Sequence, residues 1–167
     1  MNIWLISDTH FGHENIIKFC NRPYTTVREM DEDLIEKWNS VVKQGDLVYH
    51  LGDVYLKASK GYIESILRRL NGNKRLILGN HDNGKDQILQ RFFQSIDVSI
   101  ALRDFKLHLT HYPIHSESIK PGYKNIHGHI HEKHVMLNKF IRDGNYRNIS
   151  VEQIGYTPIN IKEVKIG

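Results

Sequence analysis

The chain has 167 residues, 40% of them hydrophobic and 25% charged, with a formal net charge of +4. That is the size and composition of one globular domain with a buried core, taken here as residues 1–167. No window approaches the ~18 consecutive apolar residues of a membrane span, and no run of five or more basic residues forms a nucleic-acid tail.

Cys20 is the only cysteine, which excludes an internal disulfide and fits a reducing compartment. The N-terminus enters a strand-like pattern without a basic leader or cleavage site, so the expected location is cytoplasmic, with no membrane attachment. A mild positive charge favours a phosphate-bearing substrate, although a solvated Lys/Arg surface explains it equally well. The eleven histidines are the more unusual feature, because histidine is both the commonest metal ligand and the neutral-pH proton carrier.

Residues 3–7 form a short apolar run that ends in Asp8-Thr9-His10, a buried strand followed by a loop. A helical turn over 15–20 precedes Arg22-Pro23. Apolar residues at helical spacing (Leu34, Ile35, Trp38, Val41, Val42) predict a helix over 31–42. A second strand at 46–51 ends in Gly52-Asp53. Ile63, Ile66, Leu67 and Leu70 share one face of a helix over 62–70, which Asn71-Gly72 terminates. The third strand, 75–78, runs into Gly79-Asn80-His81-Asp82, and a helix follows over 86–93. This alternation signals an α/β arrangement. The second half reads differently, with strand candidates at 97–102, 105–110, 123–127, 135–140, 146–151 and 159–164, and Asp104 in a tight turn.

The residues just after each apolar run carry the chemistry. One strand delivers Asp8 and His10, the next Asp53, the third Asn80, His81 and Asp82. Later runs end at His111 and at Gly128-His129-Ile130-His131. In α/β sheets ligands bind beyond the carboxyl ends of the strands, so these side chains are expected to converge. Asp8 and His10, like His129 and His131, are two residues apart and point the same way in extended backbone. Carboxylate, imidazole and amide ligands without thiolate suit manganese, iron, zinc or magnesium. Seven of them exceed one tetrahedral site and suit two metals roughly 3.5–4 Å apart with a shared carboxylate.

The ordered set D-x-H, G-D, G-N-H-D, H, G-H-x-H, present here as Asp8-Thr9-His10, Gly52-Asp53, Gly79-Asn80-His81-Asp82, His111 and Gly128-His129-Ile130-His131, resembles the calcineurin-like metallophosphoesterases. The neighbouring "SDTHFGHENIIKFCNRP" and "VYHLGD" look like a bacterial and phage branch of small members. The resemblance implies a four-layer α/β/β/α sandwich of two facing mixed β-sheets. It implies two divalent metals, manganese foremost, with iron, zinc, nickel or magnesium as substitutes. Asp8, His10, Asp53 and His131 would hold the first metal. Asp53 would bridge to the second, completed by Asn80, His111 and His129. A metal-bridging hydroxide would be the nucleophile, His81 the general acid, and Asp82 the carboxylate that aims the His81 ring. The implied activity is hydrolysis of a phosphodiester, or a phosphomonoester, of a nucleotide or other small ester, with nucleic-acid ends as a further partner class. The rival readings are a non-catalytic protein-binding scaffold of the same fold, disfavoured by the retained His81 and Asp82, and a nuclease subunit of a larger repair complex.

Each residue also has a plainer explanation. Asn80, His81 and Asp82 are common turn residues, and Asp82 could cap a helix. His13 either contacts substrate phosphate or starts a helix. Arg22 either grips a phosphate bidentately or pairs with Glu14, Glu29 or Asp31. Tyr112 and His115 flank Pro113 and could line the pocket, and Lys57 and Lys60 either steer anions or coat a helix. His50, His108 and His127 lie inside strands and read as structural.

Overall fold

A computed structural model describes residues 1–165. The first sheet has the order β4-β3-β2-β1-β9. Its strands β1 (Ile3–Ile6), β2 (Leu47–His50), β3 (Asn73–Ile77) and β4 (Ser95–Asp97) are parallel, and β9 (Ile159–Asn160) is antiparallel to β1. The second sheet has the order β5-β6-β7-β8. There β5 (Ser99–Leu102) runs antiparallel to β6 (Leu107–Thr110), while β7 (Lys124–His127) and β8 (Tyr146–Asn148) continue parallel to β6.

β1 and residues 47–49 of β2 are apolar on both faces because both faces are covered. Alternate residues divide between two cores. Ile6, Val48 and Leu76 face the helices, whereas Leu5, Tyr49 and Ile77 meet Leu107, Leu109 and Ile126 of the second sheet. The sheets therefore face each other, as expected. The helices are α1 (Glu14–Phe19), α2 (Val27–Val41), α3 (Lys60–Arg69) and α4 (Gln87–Phe92). All four feed the helix-side core, through Ile16, Leu34, Ile63 and Leu89 among others. No α-helix follows Phe92 among the described residues, so α-helix does not build an outer layer on the second sheet. No helix among them is long and apolar enough to cross a membrane.

Helix starts follow their caps rather than their apolar stripes. α2 begins four residues before the expected position because the Thr26 hydroxyl accepts from the Glu29 N–H at 3.1 Å. Asp86, not Asp82, caps α4, accepting from Ile88 N–H at 2.7 Å.

The second half departs further from the sequence expectation. The 97–102 stretch divides between sheets at exposed Val98, and the strand expected over 105–110 starts only at Leu107, as β6, because Phe105 closes a 3-10 turn. Strands expected over 146–151 and 159–164 stop at Asn148 and Asn160. The 135–140 stretch forms no strand, only a single Met136–Arg142 bridge, and leaves Leu137, Phe140 and Ile141 exposed. Apolar content there does not mean burial.

His50, at the end of β2, is buried with both ring nitrogens engaged. Thr9 Oγ1 donates to the Val54 carbonyl and so accepts from Nε2–H at 2.9 Å, while Gly52 N–H donates to Nδ1 at 3.2 Å. Burial, with a further contribution from His111, lowers its pKa to about 3. The unfolded chain takes up this proton near pH 6.5, so the stability that neutral His50 contributes is complete above that pH and is lost as pH falls toward 3. We expect His50→Gln to flatten the dependence of urea-unfolding free energy on pH near pH 5 by about 1.4 kcal/mol per pH unit, one proton's worth.

Candidate metal centre

The loops leaving β1, β2, β3, β6 and β7 meet at one edge of the paired sheets. Asp8 N–H donates to Gly52 O at 2.9 Å and His10 N–H to Asp53 O at 3.0 Å, which zips the first two loops together. Gly128 N–H donates to His111 O at 2.9 Å, and His129 N–H to the Asp8 carboxylate at 3.0 Å. A Cβ on Gly79 would lie 2.4 Å from the Asp53 backbone nitrogen, and one on Gly128 2.2 Å from Asp8 Oδ2. The glycines of both motifs are thus needed for close approach.

Asp8, His10, Asp53, His129 and His131 all have positive φ, between 47° and 69°. Left-handed backbone at non-glycine residues costs about 1–3 kcal/mol each, and such strain collects where function constrains geometry. Among the described residues, three groups of ligating atoms each lie within 4.8 Å of one another: Asp8, His10 and His131; Asp53, His111 and His129; and Cys20, His131 and Glu152. Asp53 Oδ2 stands between the first two, 3.5 Å from His10 Nε2 and 3.6 Å from His111 Nε2. Asn80 Oδ1 lies 2.9 Å from His111 Nε2.

This donor set fits divalent cations. His10 Nε2 is buried without a hydrogen-bond partner, and burial above all, then Arg22 and the neighbouring histidines, holds its pKa far below normal. His111 Nδ1 lies 2.8 Å from the Leu51 carbonyl, to which it can only donate. In the neutral ring Nε2 then turns a lone pair toward the oxygens of Asn80 and Asp53. Imidazole nitrogens and carboxylate and amide oxygens converging in this way suit a divalent cation between them.

His81 is exposed, with its ring 5.5 Å from that of His10 and its backbone N–H donating to Asp53 Oδ1 at 2.9 Å. The expectation that Asp82 aims the His81 ring needs correcting. The Asp82 carboxylate accepts from the backbone N–H groups of Asp53 (2.7 Å), Val54 (3.0 Å) and Gly79 (2.8 Å), and so holds the Asp53 loop.

Arg22 also turns away from any substrate. It donates to the carbonyls of Thr9 (3.0 Å) and Asp8 (2.7 Å) and pairs with Glu152 at 2.7 Å. Its partner is none of Glu14, Glu29 or Asp31, because the buried guanidinium reaches across the fold rather than along it. His13 precedes α1 and is buried, its ring 5.3 Å from that of His10. Tyr112 is half exposed, its ring 4.3 Å from His129 and 5.0 Å from His111, beside a cavity of about 300 Å³. His115 is exposed and caps the 3-10 turn Ser116–Ser118, its Nδ1 accepting from Glu117 N–H at 3.4 Å.

Sequence reasoning missed Glu152. Its Oε1 lies 3.1 Å from His131 Nδ1, leaving His131 Nε2 facing Asp8 at 3.9 Å. Burial opposes protonation of His131, but the Cys20 and Glu152 side chains and the Asp8 charge outweigh it, raising its pKa to about 10 in the metal-free chain. A carboxylate behind a ligating imidazole fixes tautomer and orientation. Glu152→Gln is therefore expected to weaken binding of one metal by about 10–100-fold, read by titration of metal into stripped protein. Only the separation of 130 residues between Glu152 and Arg22 hid it, since nothing local marks this glutamate.

A cavity of about 710 Å³ opens beside this cluster, lined on one side by His10, His13, His81, His129 and His131.

Residues 1–146 match the family model for the calcineurin-like phosphoesterase superfamily domain. An uncharacterized protein of Methanocaldococcus jannaschii is 41% identical over 161 residues, covering 95% of this chain and 86% of that protein. The gene 66 protein of Mycobacterium phage L5 is 41% identical over 83 residues, 48% of this chain and 40% of its own length. The crystal structure of a protein of unknown function from Aquifex aeolicus superposes with a TM-score of 0.73 at 28% identity, covering 98% of this chain and 97% of that one.

Proposed function

The chain belongs to the calcineurin-like phosphoesterase superfamily, and on that basis we propose that it is a two-metal hydrolase cleaving a phosphodiester of a nucleotide or other small ester. Asp8, His10, Asp53 and His131 would hold one metal, and Asp53, Asn80, His111 and His129 the other. The observation that carries this reading is the position of Asp53 Oδ2, 3.5 Å from one cluster and 3.6 Å from the other. Two divalent ions there would supply Lewis acidity toward the phosphoryl oxygens and a water acidic enough to attack at neutral pH. Manganese is the ion we favour.

The chain's own residues would do the rest. His81, exposed at the mouth and anchored through its backbone, donates a proton from its ring to the leaving oxygen. Asp82 keeps the Asp53 loop in place. His13, its basicity lowered by burial and by His81, would line the phosphate side of the cavity. Arg22 is held by Glu152, so the cavity beside the centre is lined by two lysines, Lys57 and Lys133, and by no arginine. A monoanionic diester needs less compensation, which supports it over a monoester. A cytoplasmic setting belongs to the same proposal.

The test is turnover of bis-p-nitrophenyl phosphate beside p-nitrophenyl phosphate, with metal-stripped protein reloaded with manganese. Faster diester cleavage supports the proposal, and faster monoester cleavage makes the protein a phosphatase. Absence of turnover with both metals bound favours the scaffold reading.

A further inference from the structure

The 710 Å³ cavity has a second side that metal binding does not use. Resting on the hydrolase reading, we propose that this side is a nucleoside pocket. The Phe19 ring is its stacking platform for the base, Ile16, Leu56 and Ile130 form its apolar wall, and Lys57 and Lys133 are its phosphate-facing cations.

Residues 13, 16, 19 and 20 follow one stripe of α1 at helical spacing, and all four line the cavity. Ile16 closes into the core, but Phe19, one turn further on, passes its edge and stays 72% exposed. The phenyl ring meets His13 edge-on, with ring centroids 6.4 Å apart. His13 in turn stands 5.3 Å from His10, so the platform lies two ring contacts from the candidate metal ligands. At 72% exposure the ring keeps most of its surface free for a ligand beside that centre.

The volume lies within the roughly 300–1,000 Å³ of small-molecule sites and far exceeds what a phosphate alone fills. Apolar walls meeting a few convergent polar groups are the usual make-up of such a site. Lys57 is held in left-handed backbone (φ 59°) between β2 and α3, and both lysines are exposed. They suit a ligand that is anionic at one end and flat and weakly polar at the other. A sugar phosphate would leave Phe19 uncovered, whereas a nucleobase stacks on it through a π-face that every base possesses.

The test is equilibrium binding to manganese-loaded protein by calorimetry, with adenosine 5′-monophosphate, ribose 5-phosphate, phenyl phosphate and inorganic phosphate as probes. The nucleotide should bind about tenfold tighter than ribose 5-phosphate. Phe19→Ala should abolish that difference and leave inorganic phosphate affinity unchanged, whereas Phe19→Tyr should retain it. Because Phe19 is mostly exposed, its truncation spares the core. Lys57→Ala and Lys133→Ala should each weaken all four probes.

Equal binding of nucleotide and ribose 5-phosphate, or a difference that survives Phe19→Ala, overturns the proposal while leaving the hydrolase reading intact. Phenyl phosphate matching the nucleotide overturns the nucleoside assignment and makes the platform one for simple aryl esters. Failure of all four probes to bind the loaded protein overturns both.

Discussion

Asp53→Asn is expected to empty both metal positions together and to reduce turnover by at least about a thousandfold. One oxygen, Oδ2, faces His10 at 3.5 Å and His111 at 3.6 Å, so an amide there loses the negative charge at both positions at once. Metal Lewis acidity contributes several kcal/mol to a transition state, and each ~1.4 kcal/mol is tenfold in rate. An asparagine retains an oxygen to accept from His81 N–H at the place of Oδ1, so the loop should stay folded. Metal-to-protein ratio by elemental analysis, beside a thermal melt, checks this. Loss of only one ion would sink the bridging role of Asp53.

His81→Ala is expected to lower turnover by about 10²–10⁴-fold with metal content unchanged. The ring is exposed, and the hydrogen bond that ties the residue to Asp53 comes from its backbone, so alanine keeps the anchor and removes the proton donor. The loss should be largest for esters with strongly basic alkoxide leaving groups and smaller for p-nitrophenyl esters, whose leaving group needs little protonation. Comparing the two substrate types in wild type and variant checks this. A uniform loss across leaving groups, or loss of metal, would remove His81 from the acid role.

Asp82 shows where local reading ends. Adjacent to His81, it looks like that residue's partner, yet three backbone N–H groups converge on its carboxylate and none belongs to His81. Unpaired buried amides near a tight loop are costly, and they claim the nearest carboxylate first. Arg22 behaves likewise. The sequence offers three neighbouring acids, but a buried guanidinium needs a buried carboxylate, and the one that reaches it is Glu152. The 135–140 stretch looks like a strand by composition, but with only one bridge beside it the apolar side chains stay in solvent.

The alternating α/β first half, the strand-rich second half, the family, and the order in which acid, imidazole and amide groups leave the strand ends were all legible in the chain. They depend on periodicity and motif spacing, which are local properties. Which further groups meet was settled by the folded arrangement alone: Glu152 behind His131, Arg22 turned inward, and Phe19 left uncovered beside the centre. Burial, pairing of buried charge and satisfaction of backbone N–H groups are set by residues up to 130 positions apart, and no local pattern records them.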